Sequence, residues 1–245
     1  MEFFILFLIT HLLGDYVFQP YLLSEKKKQK IKFILVHALI YTAISSLAVI
    51  LIEGILINIL YPIIIFAWHF LIDFLRVRFD KKFIGVRKQF LSFVLDQALH
   101  IVILFFLVKD LDATDTSSIG ISLYDWFARN LDPMTLDYFL KLVLAYLIVL
   151  SPSSIFIKHF FNLILKKELC DDSENKVGSI IGKLERLVIL TLGIMGLYTA
   201  IALVFTAKSI ARYKQLEEKD FSEKYLIGTL LSLFIAILCI IFVRL

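Results

Sequence analysis

Seven ionisable side chains, His11, Asp15, His37, His69, Asp73, Asp96 and His100, stand inside long apolar runs in the first part of the chain. Such groups are costly within a membrane-spanning segment unless they are paired, bound to metal or in contact with water, so each is a functional candidate. Three pairs have the i,i+4 spacing: His11/Asp15, His69/Asp73 and Asp96/His100. On a helix this spacing puts both side chains on one face, a turn apart. One helix can then offer two ligands to an ion, and neighbouring helices complete the shell. Imidazole with carboxylate suits zinc first, with manganese and iron as alternatives, and the lack of thiolate argues against Cu(I) or an iron–sulfur cluster. Four imidazoles and three carboxylates exceed the needs of one tetrahedral ion. The surplus would serve a dinuclear centre or orient the ligands from behind.

The elements that position these residues are long apolar segments. Of 245 residues 60% are hydrophobic, the mean hydropathy is +0.85, and the charges sit in blocks between apolar runs. Runs of 18 or more apolar residues can cross a hydrocarbon core of about 30 Å, and helices satisfy their own backbone groups there. The predicted segments are 3–23, 32–53, 56–76, 89–109, 138–165, 181–206 and 224–243. The expected fold is therefore all-α, a polytopic transmembrane bundle of six to seven helices. It divides into a four-helix metal-binding bundle over 1–110, an acidic extracytoplasmic loop over 111–137, and C-terminal membrane helices over 138–245. His11-x-x-x-Asp15 recurs as His69-x-x-x-Asp73, with His37 and Asp96 on the intervening helices, which suggests a parallel duplication of a two-helix unit.

Basic links follow the first and third segments (Lys26, Lys27, Lys28, Lys30 and Lys32; Arg76, Arg78, Lys81, Lys82, Arg87 and Lys88). The positive-inside rule makes them cytoplasmic and puts the N-terminus outside. The turn at Glu53 and the acidic residues Asp110, Asp112, Asp115, Asp125, Asp132 and Asp137 then fall outside. With this orientation all seven His/Asp residues share one depth, in the cytoplasmic half of the bilayer. The C-terminal half conflicts with the rule, since Lys158, Lys166 and Lys167 and the later Lys208, Arg212, Lys214, Lys219 and Lys224 both read as cytoplasmic. Either one segment does not span, or the fifth breaks near Ser151-Pro152-Ser153, where the proline favours a kink.

Several readings are set aside. The net charge of +4 fits topology and anionic headgroups rather than nucleic acid, and Cys170 and Cys239 have no metal-ligand spacing and imply no disulfide. The first segment lacks a basic n-region and a cleavage site and reads as a retained helix. Trp68, Tyr124 and Trp126 fit interface anchors, and His159 beside Lys158 reads as interfacial.

The run His11-Leu-Leu-Gly-Asp15-Tyr-Val-Phe-Gln19-Pro20, with Leu35-Val-His37, His69-Phe-Leu-Ile-Asp73 and Leu95-Asp96-Gln97-Ala98-Leu99-His100, resembles a bacterial integral-membrane family known as domain of unknown function 3307. The resemblance covers about the first 110 residues. Longer members share Leu184-Glu185-Arg186 and Tyr225-Leu-Ile-Gly228-Thr229. It implies a bacterial plasma-membrane protein and no particular activity. The histidine/aspartate helices are more loosely similar to membrane proteins described as metal-dependent hydrolases.

A second polar set lies in the C-terminal half, with Glu185, Arg186, Lys208, Arg212, Glu223 and Tyr225 at segment ends. An interfacial belt explains it most simply. The functional alternative is an anion or headgroup site of Arg186, Lys208 and Arg212 gripping phosphate oxygens. The leading function is then a metal-dependent hydrolase of lipid-linked or phosphoester substrates, with Asp96 or Asp15 as general base. The alternatives are a divalent-metal transporter, or a structural or sensory subunit stapled by metal. The expected partners are membrane lipid and further copies of the chain within the membrane.

Overall fold

A computed structural model describes residues 2–53, 60–82, 85–109, 120–122, 125–126, 129, 135–166 and 173–245. The described elements are helical: α1 (Glu2–Leu12), α2 (Tyr21–Lys27), α3 (Ile31–Glu53), α4 (Leu60–Lys82), α5 (Val86–Lys109), α6 (Leu136–Leu150), α7 (Pro152–Leu165), α8 (Ser173–Ile194), α9 (Tyr198–Ala211) and α10 (Lys219–Arg244). The acidic residues Asp110, Asp112, Asp115 and Asp132, with Tyr124, Lys167 and Cys170, lie outside the described residues.

Four stretches are single helices long and apolar enough to cross a membrane: Ile31–Leu51, Leu60–Lys82, Val86–Lys109 and Lys219–Arg244. A fifth, Leu136–Leu165, is the tandem α6–α7, and a sixth is present if the bent pair Glu2–Val17 and Tyr21–Lys27 counts as one span. The chain is thus an all-α polytopic membrane protein. It forms two compact units, Met1–Leu144 and Ala145–Leu245.

In the first unit α1, α3, α4 and α5 close a ring, with α1 packed on α3 and α5, α3 on α4, and α4 on α5. One end of this ring is filled by Phe7, Tyr41, Ala48, Val49, Ile65 and Leu104, flanked by Phe3, Phe4, Tyr61 and Leu107. The seven His/Asp residues stand beyond that apolar layer, toward the end carrying Lys27 and Arg76. Past Leu12 the first helix widens into a π-turn, Leu13–Val17, closed by the Phe18 N–H donating to the Leu13 carbonyl at 2.8 Å. Such turns displace side chains locally and recur at functional sites. Here the turn carries Asp15. Gly14 within it lets the Tyr41 ring approach: a Cβ at that position would meet Tyr41 Cδ2 at 2.7 Å. Pro20 then opens α2, which turns away by 85°.

In the second unit α10 packs on α7 and α8, and α8 on α7 and α9. The break expected near Ser151 is present: α6 ends at Leu150 and α7 begins at Pro152. The predicted 181–206 segment is, by contrast, not one helix. It divides between α8 and α9 at Gly196, whose φ of +76° suits glycine. The Leu197 N–H donates to the Leu192 carbonyl at 2.9 Å and the Gly196 N–H to Gly193 at 3.1 Å, a Schellman close. Arg244 covers the freed carbonyls of Gly193 and Ile194 at 2.8 and 3.2 Å. Among the described residues this stretch supplies no span by length and hydropathy, and five or six stretches do, beside the six or seven expected.

Candidate metal centre

The ring brings imidazoles from three helices into a hydrogen-bonded series. His100 Nδ1 lies 2.8 Å from the Asp96 carbonyl oxygen, His100 Nε2 lies 2.9 Å from His69 Nδ1, and His69 Nε2 lies 3.1 Å from His37 Nε2. The chemistry of the last acceptor orders the protons. A carbonyl only accepts, so neutral His100 carries its proton on Nδ1 and accepts at Nε2. His69 must then donate from Nδ1, which leaves its Nε2 as an acceptor facing His37 Nε2.

That lone pair does not face a cation of the protein. It faces His37 Nε2, Asp15 Oδ1 at 3.7 Å and Asp73 Oδ2 at 3.8 Å. His37 Nε2 stands 3.3 Å from the same Asp15 oxygen and 3.5 Å from Asp73 Oδ2. Lys27 serves Asp73, and among the described residues His37 has one proton to share between His69 Nε2 and Asp15 Oδ1. Asp15 Oδ1 is buried and accepts no well-directed hydrogen bond among the described residues.

The carboxylates differ in how their charge is met. Asp73 receives both of its bonds from Lys27 Nζ, at 3.0 and 3.1 Å. Asp96 Oδ2 accepts from Arg76 at 2.7 Å and from Gln97 Nε2 at 2.9 Å. Among the described residues, the charged-group nitrogens within 4 Å of the Asp15 carboxylate belong to imidazoles, with His11 Nδ1 at 3.8 Å as the third. Its side chain is 11% exposed, so water can do little for it. An anion in this position calls for a cation.

Asp15, His37 and His69 form a group whose ligand atoms lie within 4.8 Å of one another and could hold a metal ion. On a tetrahedral ion with bonds of about 2.0–2.2 Å, two ligand atoms stand about 3.3–3.6 Å apart. The observed 3.1, 3.3 and 3.7 Å separations scatter around that edge length. The donor set therefore fits one ion with three ligands.

The family comparison covers the same elements. The family model "Protein of unknown function (DUF3307)" matches residues 3–127, about half of the chain. The chain belongs to the DUF3307 family. That match spans every residue of the His/Asp cluster. No curated protein and no solved structure matches the chain.

The other predicted site residues have distinct places. His100 and Asp96 stand behind His69, on the side away from Asp15. His11 is buried, 3.3 Å from the Tyr41 hydroxyl and stacked on His100 with centroids 5.1 Å apart. Of the C-terminal cations, Lys208 bonds Glu185 at 2.6 Å and Thr229 at 2.9 Å. Arg186 donates to the Val149 carbonyl, Ser154 and Ser232, and Arg212 is half-buried near Gln215.

Three contributors to the DUF3307 cluster escaped the sequence reading. Tyr41 stacks on His69 with centroids 3.6 Å apart and planes 9° from parallel. It lies one helical turn after His37, a spacing that would have found it. Arg76 lies one turn after Asp73 and was read with the basic link. Lys27 was read as one of a run of topology lysines, and nothing in its spacing sets it apart.

Proposed function

We propose that this membrane protein is a metalloenzyme in which Asp15, His37 and His69 hold one divalent ion, zinc first and manganese or iron as alternatives. The reaction is hydrolysis of a lipid-linked or phosphoester substrate entering from the Lys27–Arg76 end. The observation that carries it is the convergence of His69 Nε2, His37 Nε2 and the Asp15 Oδ1 that lacks a directed hydrogen bond. Structural zinc sites are closed by four protein ligands, whereas catalytic sites keep three and leave a position for water. The ion would lower the pKa of that water toward neutrality and polarise the ester oxygen. Asp73 Oδ2, beside the same two nitrogens, would orient that water. Asp96, held by Arg76 behind the imidazoles, would act through His100 and His69 rather than on the substrate.

Charge supports the same assignment. Three carboxylates face two cations in the cluster, Lys27 and Arg76. A divalent ion makes the sum positive by one, and a bound hydroxide or an anionic ester oxygen neutralises it. The apolar layer of Phe7, Tyr41, Ile65 and Leu104 on the other side favours one-sided access over the through-path a transporter needs.

Metal analysis of purified protein tests the first step: about one ion per chain is expected, and none in an Asp15→Asn/His69→Gln double variant. Turnover is then assayed on phospholipid and prenyl-phosphate substrates in detergent, with flux of the same metal followed in vesicles. Metal-dependent hydrolysis without flux supports the enzyme. Flux lost with the double variant, without hydrolysis, would overturn it in favour of transport.

A further inference from the structure

Of the lysines at positions 26, 27, 28, 30 and 32, Lys27 alone is buried. The four exposed ones suit a membrane surface, and Lys28 pairs with Glu25 at 2.7 Å. Lys27 needs another reason. It is the last residue of α2, the short helix that the Pro20 turn sets at 85° to the first span. Tyr21 and Leu22 on that helix point outward, 71% and 67% exposed, and α2 rests on α3. The bend thus delivers one ammonium group into the His/Asp cluster.

There it takes both oxygens of Asp73, at 3.1 and 3.0 Å. Asp73 Oδ2 is the atom best placed to become a fourth ligand. Its distances to His37 Nε2 and His69 Nε2, 3.5 and 3.8 Å, are close to the edge of a tetrahedral shell. If it bound, the ion would be enclosed by four protein atoms and carry no exchangeable position. A lysine ammonium competes directly for that carboxylate, and its positive charge opposes approach of the oxygen to the ion.

We propose that Lys27 is a positioning residue that holds Asp73 off the metal and so keeps the fourth coordination position free for water or an anionic oxygen of the substrate. The inference rests on the metal reading above and goes further than it. Removing a lysine present only to neutralise a buried aspartate would leave the ion's coordination number and its exchangeable position unchanged. Removing a lysine that restrains a competing ligand lets Asp73 close the shell.

Cobalt(II) in place of the native ion separates these outcomes, because its visible spectrum reports coordination number and exogenous ligands. Wild-type protein is expected to bind one cobalt per chain and to change spectrum on adding azide, the mark of an open position. Lys27→Met should bind cobalt at least ~10-fold more tightly, the scale on which groups around a metal ordinarily act. Its spectrum should be that of a four-ligand site unresponsive to azide. Lys27→Arg should retain the azide response, and Lys27→Met/Asp73→Asn should regain it. Asp73→Asn with Lys27 intact should bind cobalt more weakly, because a carboxylate is lost beside the ion, but should keep the wild-type spectrum and azide response. This variant decides the matter if Lys27→Met does not fold, since a cobalt spectrum altered from that of the wild type would make Asp73 a ligand and overturn the proposal. Weaker cobalt binding by Lys27→Met, or an azide response kept in it, would also overturn it. Absence of cobalt uptake by the wild type would instead remove the metal reading itself.

Discussion

His69 and His100 are joined ring to ring, Nδ1 to Nε2, at 2.9 Å, and His100 is in turn fixed by the Asp96 backbone carbonyl at 2.8 Å. Metal-binding imidazoles generally donate their second N–H to an acceptor that sets tautomer and orientation. In this protein the acceptor is a second imidazole. Replacing His100 by alanine removes it and lets the His69 proton move to Nε2, where it blocks the ion. Metal affinity should fall about 10–100-fold, the usual range for such partners, while the capacity stays at one ion per chain. Competition against a chromophoric chelator measures this. A loss of capacity in His100→Ala would instead make His100 a ligand.

Gly14 and Tyr41 meet in a close approach between the first span and α3. A methyl at Gly14 would press on the Tyr41 ring at 2.7 Å, and that ring lies flat on His69. Overpacking of this kind costs about 1–3 kcal/mol. Gly14→Ala should lower the unfolding midpoint in detergent and weaken metal binding as the stack shifts. The penalty should shrink in a Tyr41→Leu background, because the two sites share one contact. Equal penalties in both backgrounds would place the cost in the backbone of the π-turn.

The helical membrane class and the seven inward residues were legible because both rest on local pattern: apolar runs, and ionisable residues that such runs rarely tolerate. Which three of the seven converge was not legible. Spacing on single helices pairs His11 with Asp15 and His69 with Asp73. The shared point is instead set by the π-turn at Leu13–Val17 and by cations from other elements that claim Asp73 and Asp96. Lys27 looked like its neighbours because burial depends on a bend at Pro20, not on its own identity. The 181–206 segment was misjudged because its hydropathy is continuous through Gly196, whereas the break is conformational.

Arg76 and Asp96 form an asymmetric pair, with side-chain exposures of 27% and 2%. Removing the cation strands a buried carboxylate, whereas removing the carboxylate leaves a guanidinium that water can reach. Arg76→Met should therefore destabilise more than Asp96→Asn. The loss is on the order of 1.5–3 kcal/mol for a hydrogen bond to a charged group, reduced by the partial exposure of Arg76. Chemical denaturation of the purified variants orders them. The reverse order would indicate that Asp96 is already neutral in the folded protein.

Pro152 and Arg186 answer each other across the break between α6 and α7. Proline has no N–H for the Ile148 carbonyl, and Ser153 Oγ covers that oxygen at 2.7 Å and the Val149 oxygen at 2.9 Å. Arg186 Nε adds a bond to the Val149 carbonyl at 2.9 Å, and its other nitrogens reach Ser154 and Ser232. A cation at the carbonyl end of a helix also meets the favourable end of its dipole. Arg186→Met should cost about 1–3 kcal/mol by leaving buried acceptors unmet. Pro152→Ala restores the N–H and lets the helix continue, so Arg186→Met should cost clearly less in that background. A double-mutant cycle on unfolding in detergent measures the coupling. A cost for Arg186→Met that is the same with and without Pro152 would assign the arginine to its serine contacts rather than to the break.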